Sequence, residues 1–222
     1  MDYKYIHDSV NLKDEIFSKS DDINKILLQN NETELAKALE FFNSDKKLLH
    51  IHGFLGTGKR QFISYLEKFL NNETIVLKYY CKEGTVCDDI LLNFIHKIEI
   101  NPISKAIKTN SKIIILMSKL IQYISSIKKP FLIILHSFDD MQTENMQLVI
   151  KFLQSIIKSN NIKIIISTRA LSSDAINQLE PDDKIFLKAL SKDNFKLYLQ
   201  DNGITTSDTV IDDFYKYTRE YY

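Results

Sequence analysis

Glycine is scarce in this chain. It has five in all, and three of them, Gly53, Gly56 and Gly58, stand close together in one stretch. An excess of charge is also missing, since Lys plus Arg and Asp plus Glu number 29 each, so no overall field draws the chain to nucleic acid or to an anionic membrane. A nucleic-acid role would need a local patch. There are only two cysteines, Cys81 and Cys87, and their spacing matches neither a redox pair nor a zinc knuckle. They read as reduced, partly buried side chains of a cytoplasmic protein. No hydrophobic run is long enough to cross a bilayer. The most apolar region, 113–127, is interrupted by Lys119 and flanked by Lys112, Lys128 and Lys129. Residues 1–11 carry charges and no apolar core, which excludes a secretory signal there. With 44% hydrophobic and 26% charged residues, the composition is that of an ordinary globular protein.

What is present centres on the clustered glycines. An apolar run, Leu48-Leu49-His50-Ile51-His52, breaks into Gly53-Phe54-Leu55-Gly56-Thr57-Gly58-Lys59-Arg60. A buried strand over 47–52, a loop whose backbone N–H groups turn inward, and a helix over 59–70 make this a phosphate-binding loop. The pattern asks for Ser or Thr after the lysine to hold magnesium, and here that residue is Arg60. Arginine cannot ligate a cation but pairs with phosphate through its planar fork. The cofactor expectation is therefore ATP held by Gly53, Gly56, Thr57, Gly58, Lys59 and Arg60, with an impaired magnesium site and no metal ligand set. The bland alternative is a glycine-rich turn with no ligand.

Along the chain, helices are expected over 22–29 and 33–43, the latter starting at Thr33. A buried strand over 74–81 is closed by Gly84, and a helix capped by Asp88 or Asp89 follows. One or two helices fill 104–127, with Ile114, Met117, Leu120, Ile121 and Ile124 on a common stripe. Phe131 to Leu135 reads as a central strand with His136-Ser137-Phe138-Asp139-Asp140 at its carboxyl end, then a helix over 144–158, then a strand from Ile162 to Arg169. Pro181-Asp182-Asp183 is a turn before a last strand at 185–187. Ser191 caps a helix through Leu199, Gly203 ends it, and a final helix begins near Ser207. Alternating strands and helices imply an α/β fold with a mostly parallel sheet, its ligand crevice at the strand carboxyl ends. The loop, 136–140 and Thr168-Arg169 would converge there. His50 and His52, two apart on a strand, share a face and read as a buried strand end with satisfied imidazoles.

The order of a phosphate loop, an apolar strand ending in polar residues, a strand ending Ser-Thr-Arg, and a strand leading into Ala-Leu-Ser-Lys-Asp-Asn resembles the STAND class of AAA+-like signal-transduction ATPases. The resemblance spans residues 15–222. It implies a P-loop NTPase three-layer sandwich over 31–188, preceded by a polar segment and first helix (1–30) and followed by the start of a helical lid-like segment (189–222). It also implies that Arg169 senses the terminal phosphate. Where the family carries a magnesium-site aspartate after its hydrophobic strand, this chain has His136. Asp139 and Asp140 are then the nearest candidate catalytic carboxylates, although Asp in such places is more often a cap or loop residue.

Three functions follow. The first is an ATP-binding regulatory domain, weak or inactive in hydrolysis, with a protein partner or self-association. The second is a degenerate interaction scaffold of the same fold. The third is an initiator-like ATPase acting on DNA, against which the neutral charge and the lack of a recognisable DNA-reading helix argue.

Overall fold

The computed structural model describes residues 4–5, 30–98, 111–169, 174–201 and 203–213. The expected helix over 22–29, residues 99–110 and the chain beyond 213 lie outside them. Five strands, β1 (Leu48–His52), β2 (Ile75–Tyr80), β3 (Phe131–His136), β4 (Ile162–Thr168) and β5 (Asp183–Phe186), form one all-parallel sheet in the order β2-β3-β4-β1-β5. The helices are α1 (Glu32–Asn43), α2 (Lys59–Leu66), α3 (Cys87–Lys97), α4 (Ser111–Ser126), α5 (Thr143–Ile156), the single-turn α6 (Asp174–Asn177) and α7 (Lys192–Asp201), with helical residues again at 208–213.

The central strands read as unbroken apolar runs because helices cover both of their faces. Alternate residues divide between two cores. Ile133, Leu135, Ile164 and Ile166 pack with α3, α4 and α5 on one side. Ile134, Ile165, Leu49 and Ile51 pack with α1 and α2 on the other. Each such fully buried side chain stabilises the fold by about 1.5–3 kcal/mol relative to exposure. On α4, Leu116, Leu120 and Ile124 are fully buried and Met117 and Ile121 pack against the same core, so the expected stripe faces inward except for Ile114, which is 66% exposed.

Three polar side chains fix the element ends. Asn161 Nδ2 donates to the carbonyls of Ile124, Ile127 and Lys129 at 2.8–3.1 Å, closing the end of α4 against the start of β4. Asp182 Oδ2 accepts from the Lys47 and Leu48 N–H groups at 2.9 Å, which ties the turn before β5 to the start of β1. Lys163, on fully buried β4, donates from Nζ to the carbonyls of Phe41, Ser44 and Lys46 at 2.7–2.8 Å and lies over the Phe41 ring. It thus sets a cation at the carboxyl end of α1, where the helix dipole favours one.

Burial pushes the Lys163 amine down from 10.5 to about 8, so it is charged at neutral pH. Lys163→Met is expected to lower stability by roughly 1–2 kcal/mol by leaving buried carbonyls without a donor. The sign with pH is definite. A folded-state value below the unfolded one means that wild-type stability, measured against Lys163→Met, rises as pH goes from about 8 toward 10.5. Urea melts of both proteins across that range check it.

Helix starts differ from expectation in two places. α1 begins at Glu32 after Asn31, not at Thr33, and the buried Asn31 turns its Oδ1 to the Lys188 N–H instead of capping its own helix. Asp88 and Asp89 sit inside the first turn of α3, and the Cys87 N–H is met by Asn145 Oδ1 from α5. In the first case a distant N–H draws the cap residue's side chain away, and in the second a distant side chain takes the place of the local cap. Ser191 does act as expected, its Oγ accepting from the Asn194 N–H at 3.2 Å before α7. Gly84 and Gly203 both have φ near +75°, as chain-stopping glycines do. Among the described residues no helix is long and apolar enough to cross a membrane.

Candidate phosphate-binding site

β1 delivers its carboxyl end to the glycine loop between β4 and β5, and α2 starts directly at Lys59. Gly56 and Gly58 both adopt left-handed φ, 80° and 77°, which L side chains resist. Gly53 is required for a different reason. A Cβ there would stand 2.5 Å from the Leu187 carbonyl oxygen and 2.9 Å from Thr57 Oγ1. The chain leaving β5 passes that close because the Leu187 N–H donates to the His52 carbonyl at 2.8 Å.

Lys59 folds over the loop, its Nζ donating to the Gly53 carbonyl at 2.5 Å and the Phe54 carbonyl at 2.8 Å. Burial lowers its pKa, while the nearby Asp139 carboxylate opposes that shift. Thr57 is buried and its Oγ1 donates to the Phe54 carbonyl at 2.9 Å, so it braces the loop from within.

Asp139 and Asp140 lie in a 3-10 turn (Phe138–Asp140) after β3, entered through Ser137 at φ 51°. A non-glycine residue in that region is uncommon and stores strain at the strand end. Arg169 follows β4 and brings the two neighbouring strand ends together. Its Nε and backbone N–H each donate to Asp139 Oδ2 at 3.1 Å, and its Nη2 donates to Asp140. The two candidate carboxylates are therefore engaged by the candidate phosphate sensor, an arrangement that sequence reading did not anticipate. Asp139 Oδ1 stays buried without a hydrogen-bond partner.

His50 and His52 do share a face, with ring centroids 5.1 Å apart. His50 Nε2 shares a hydrogen bond of 2.7 Å with Thr168 Oγ1, but its Nδ1 is buried without a partner, so the imidazole is only half satisfied. Burial, helped by His52 and Lys184, pushes His50 down to about 4, and burial with Lys78 and Arg60 does the same to His136. Both rings are neutral at physiological pH. Cys81 and Cys87 are buried free thiols, each pushed up to about 12 by burial and therefore unreactive.

Arg60 does not hang free at the start of α2. Its guanidinium lies 4.9 Å from the centroid of the Tyr80 ring, and Tyr80 in turn stacks on His136, centroids 4.4 Å apart and planes within 6°. Arg60 and His136, the two positions at which the resemblance leads one to expect magnesium-holding residues, thus lie in one column with Tyr80. Among the described residues no group of three His, Cys, Asp or Glu side chains could hold a metal ion.

No protein-family model and no curated protein matches the sequence. Solved structures do resemble the fold. Cdc6p from Pyrobaculum aerophilum matches with a TM-score of 0.56 at 13% identity, over 89% of this chain and 53% of that one. Drosophila ORC bound to GC-rich DNA and Cdc6 matches with a TM-score of 0.57 at 15% identity, over 83% and 62%. The Aeropyrum pernix ORC2 protein in its ADP form matches with a TM-score of 0.54 at 13% identity, over 82% and 53%. This chain therefore spans less than two thirds of the length of each. These likenesses bear on the fold alone, an all-parallel α/β sheet of the P-loop NTPase kind, and add nothing to the narrower STAND assignment.

Proposed function

We propose that this chain is a nucleotide-binding domain of the AAA+-like P-loop type that holds ATP or ADP at the Gly53 to Lys59 loop. The observation that carries this reading is the loop itself: glycines in left-handed backbone and a lysine at the first turn of α2, beside Arg169 at the neighbouring strand end. A helix start presenting N–H groups and a fixed cation suits a polyphosphate. The core would be 31–188, with 189–222 beginning a helical lid. Titrating the purified chain with ATP and ADP by calorimetry tests it, and no binding of either nucleotide rejects it.

Of the finer readings, an initiator-like ATPase domain acting on DNA draws more support than a signal-transduction switch, because the similar folds include an ORC assembly bound to DNA and Cdc6. The zero net charge speaks only against a uniformly basic surface and leaves a local DNA contact open. Anisotropy titrations of labelled duplex DNA at two salt concentrations, with and without nucleotide, separate the two. A salt-dependent, nucleotide-sensitive affinity supports the initiator-like reading, and none at low salt returns the choice to a protein-directed switch.

Arg169 is proposed to read the terminal phosphate by exchanging its pairing with Asp139 and Asp140 for that anion. Arg169→Ala should then weaken ATP roughly tenfold while leaving ADP nearly unchanged. Equal losses for both nucleotides would show that the side chain serves only the β3 and β4 strand ends. Hydrolysis by the isolated chain is expected to be slow or absent.

A further inference from the structure

We infer that the Arg60 guanidinium, seated on the Tyr80 and His136 column, serves in place of magnesium as the cation that neutralises the phosphates of a bound nucleotide. The inference rests on the nucleotide reading and adds that the preferred ligand is the metal-free nucleoside polyphosphate.

The residues at this place do not fit a divalent ion. Arg60 stands where a hydroxyl would ligate it, and the end of β3 offers His136, whose Nε2 is buried without a partner. The next carboxylates, Asp139 and Asp140, are paired with Arg169, which leaves Asp139 Oδ1 as one lone oxygen and, among the described residues, no ligand set. A guanidinium already in the crevice would also repel a second cation.

The seat explains how one exposed arginine can do a metal's work. Tyr80 and His136 are direct register partners on β2 and β3, so their side chains emerge on the same face at the carboxyl end of the sheet. Stacked within 6°, they form a flat shelf, and Arg60 reaches from the first turn of α2 across the end of β3 to lie on it. His136 is buried and uncharged, which lets it lie under a cation without opposing it. A guanidinium drawn to a ring spends no N–H donor on an acceptor there, and its N–H groups match phosphate oxygens in a bidentate manner. The shelf thereby removes much of the rotamer freedom that a solvent-exposed arginine would lose on binding.

The test is calorimetry of the full chain with ATP and ADP, in EDTA and in millimolar magnesium. Wild type should bind at least as tightly in EDTA as in magnesium. Arg60→Ser should lose roughly ten- to a hundredfold in EDTA and recover part of that loss when magnesium is added, since the serine restores a metal-ligating hydroxyl. Tyr80→Leu, which removes the shelf and keeps the charge, should lose about two- to fivefold in EDTA. Arg60 and Tyr80 are both exposed, so these variants should fold, as melting curves would verify. A tenfold or greater gain of wild-type affinity from magnesium, or an Arg60→Ser variant that binds as well as wild type in EDTA, overturns the assignment to Arg60 alone. Absence of binding in both buffers overturns the nucleotide reading and this inference with it.

Discussion

Lys59→Ala is expected to weaken ATP and ADP binding by about 1.5–3 kcal/mol, roughly ten- to over a hundredfold, with little change in fold stability. The lysine is the fixed cation of the loop, and its Nζ already sits among the loop carbonyls of Gly53 and Phe54. The Phe54 carbonyl keeps the Thr57 N–H and Oγ1 as donors when the amine is removed, so the loss bears mainly on the Gly53 carbonyl. Equal affinities for mutant and wild type, measured by calorimetry on proteins with matching melting curves, would remove Lys59 from the site. Lys59→Arg is the sharper companion, because the charge stays while the compact ammonium becomes a broader fork that the loop cannot enclose.

Gly53→Ala should be the most disruptive single change in the loop, with an expected loss of about 3 kcal/mol in stability and of measurable nucleotide binding. One methyl group is enough because it meets backbone, not a yielding side chain. The added Cβ would approach the Leu187 carbonyl oxygen to 2.5 Å, and that strand end is itself fastened by the Leu187 N–H to the His52 carbonyl. Relief requires β5 and the loop to move apart, which disturbs the pairing of β1 with β5 as well. Gly56→Ala is the control, since a Cβ at Gly56 meets nothing within 4 Å and only its left-handed φ of 80° is strained. Urea denaturation of the three proteins should rank them wild type, Gly56→Ala, Gly53→Ala; a Gly53→Ala variant as stable as Gly56→Ala would refute the contact argument.

The elements themselves were legible because their signals are local. Five apolar residues between a proline and a polar cluster are too short for a helix and suit a central strand, and Phe131 to His136 is one, buried throughout. The loop is equally local, its glycines and lysine consecutive with the strand and helix that give them meaning. Ser191 and Gly203 carried their cap and stop signals within a turn of the positions they act on. Helix starts failed where the cap was not local. Asn31 serves Lys188, and α3 is met by Asn145, partners no window of sequence can contain.

The sequence by itself determined an α/β chain with a parallel sheet and a glycine loop set between a strand and a helix, since periodicity and turn chemistry act over a few residues and are written in order. Only the tertiary structure decided that β4 lies between β1 and β3, and with it which side chains meet at the carboxyl ends. That order brings Arg169 to Asp139 and Asp140, thirty residues earlier in the chain, so a candidate sensor and two candidate carboxylates became one ion-paired group. It also put Arg60, Tyr80 and His136, from three separate elements, into one column. Lys163 is the plainest case. Read alone it is a charge inside an apolar strand, and only the carboxyl end of α1 against β4 supplies the three carbonyls that let a cation stay buried. Pairings of this kind depend on distance in space, because electrostatic and hydrogen-bonding energies fall with separation and carry no record of separation along the chain.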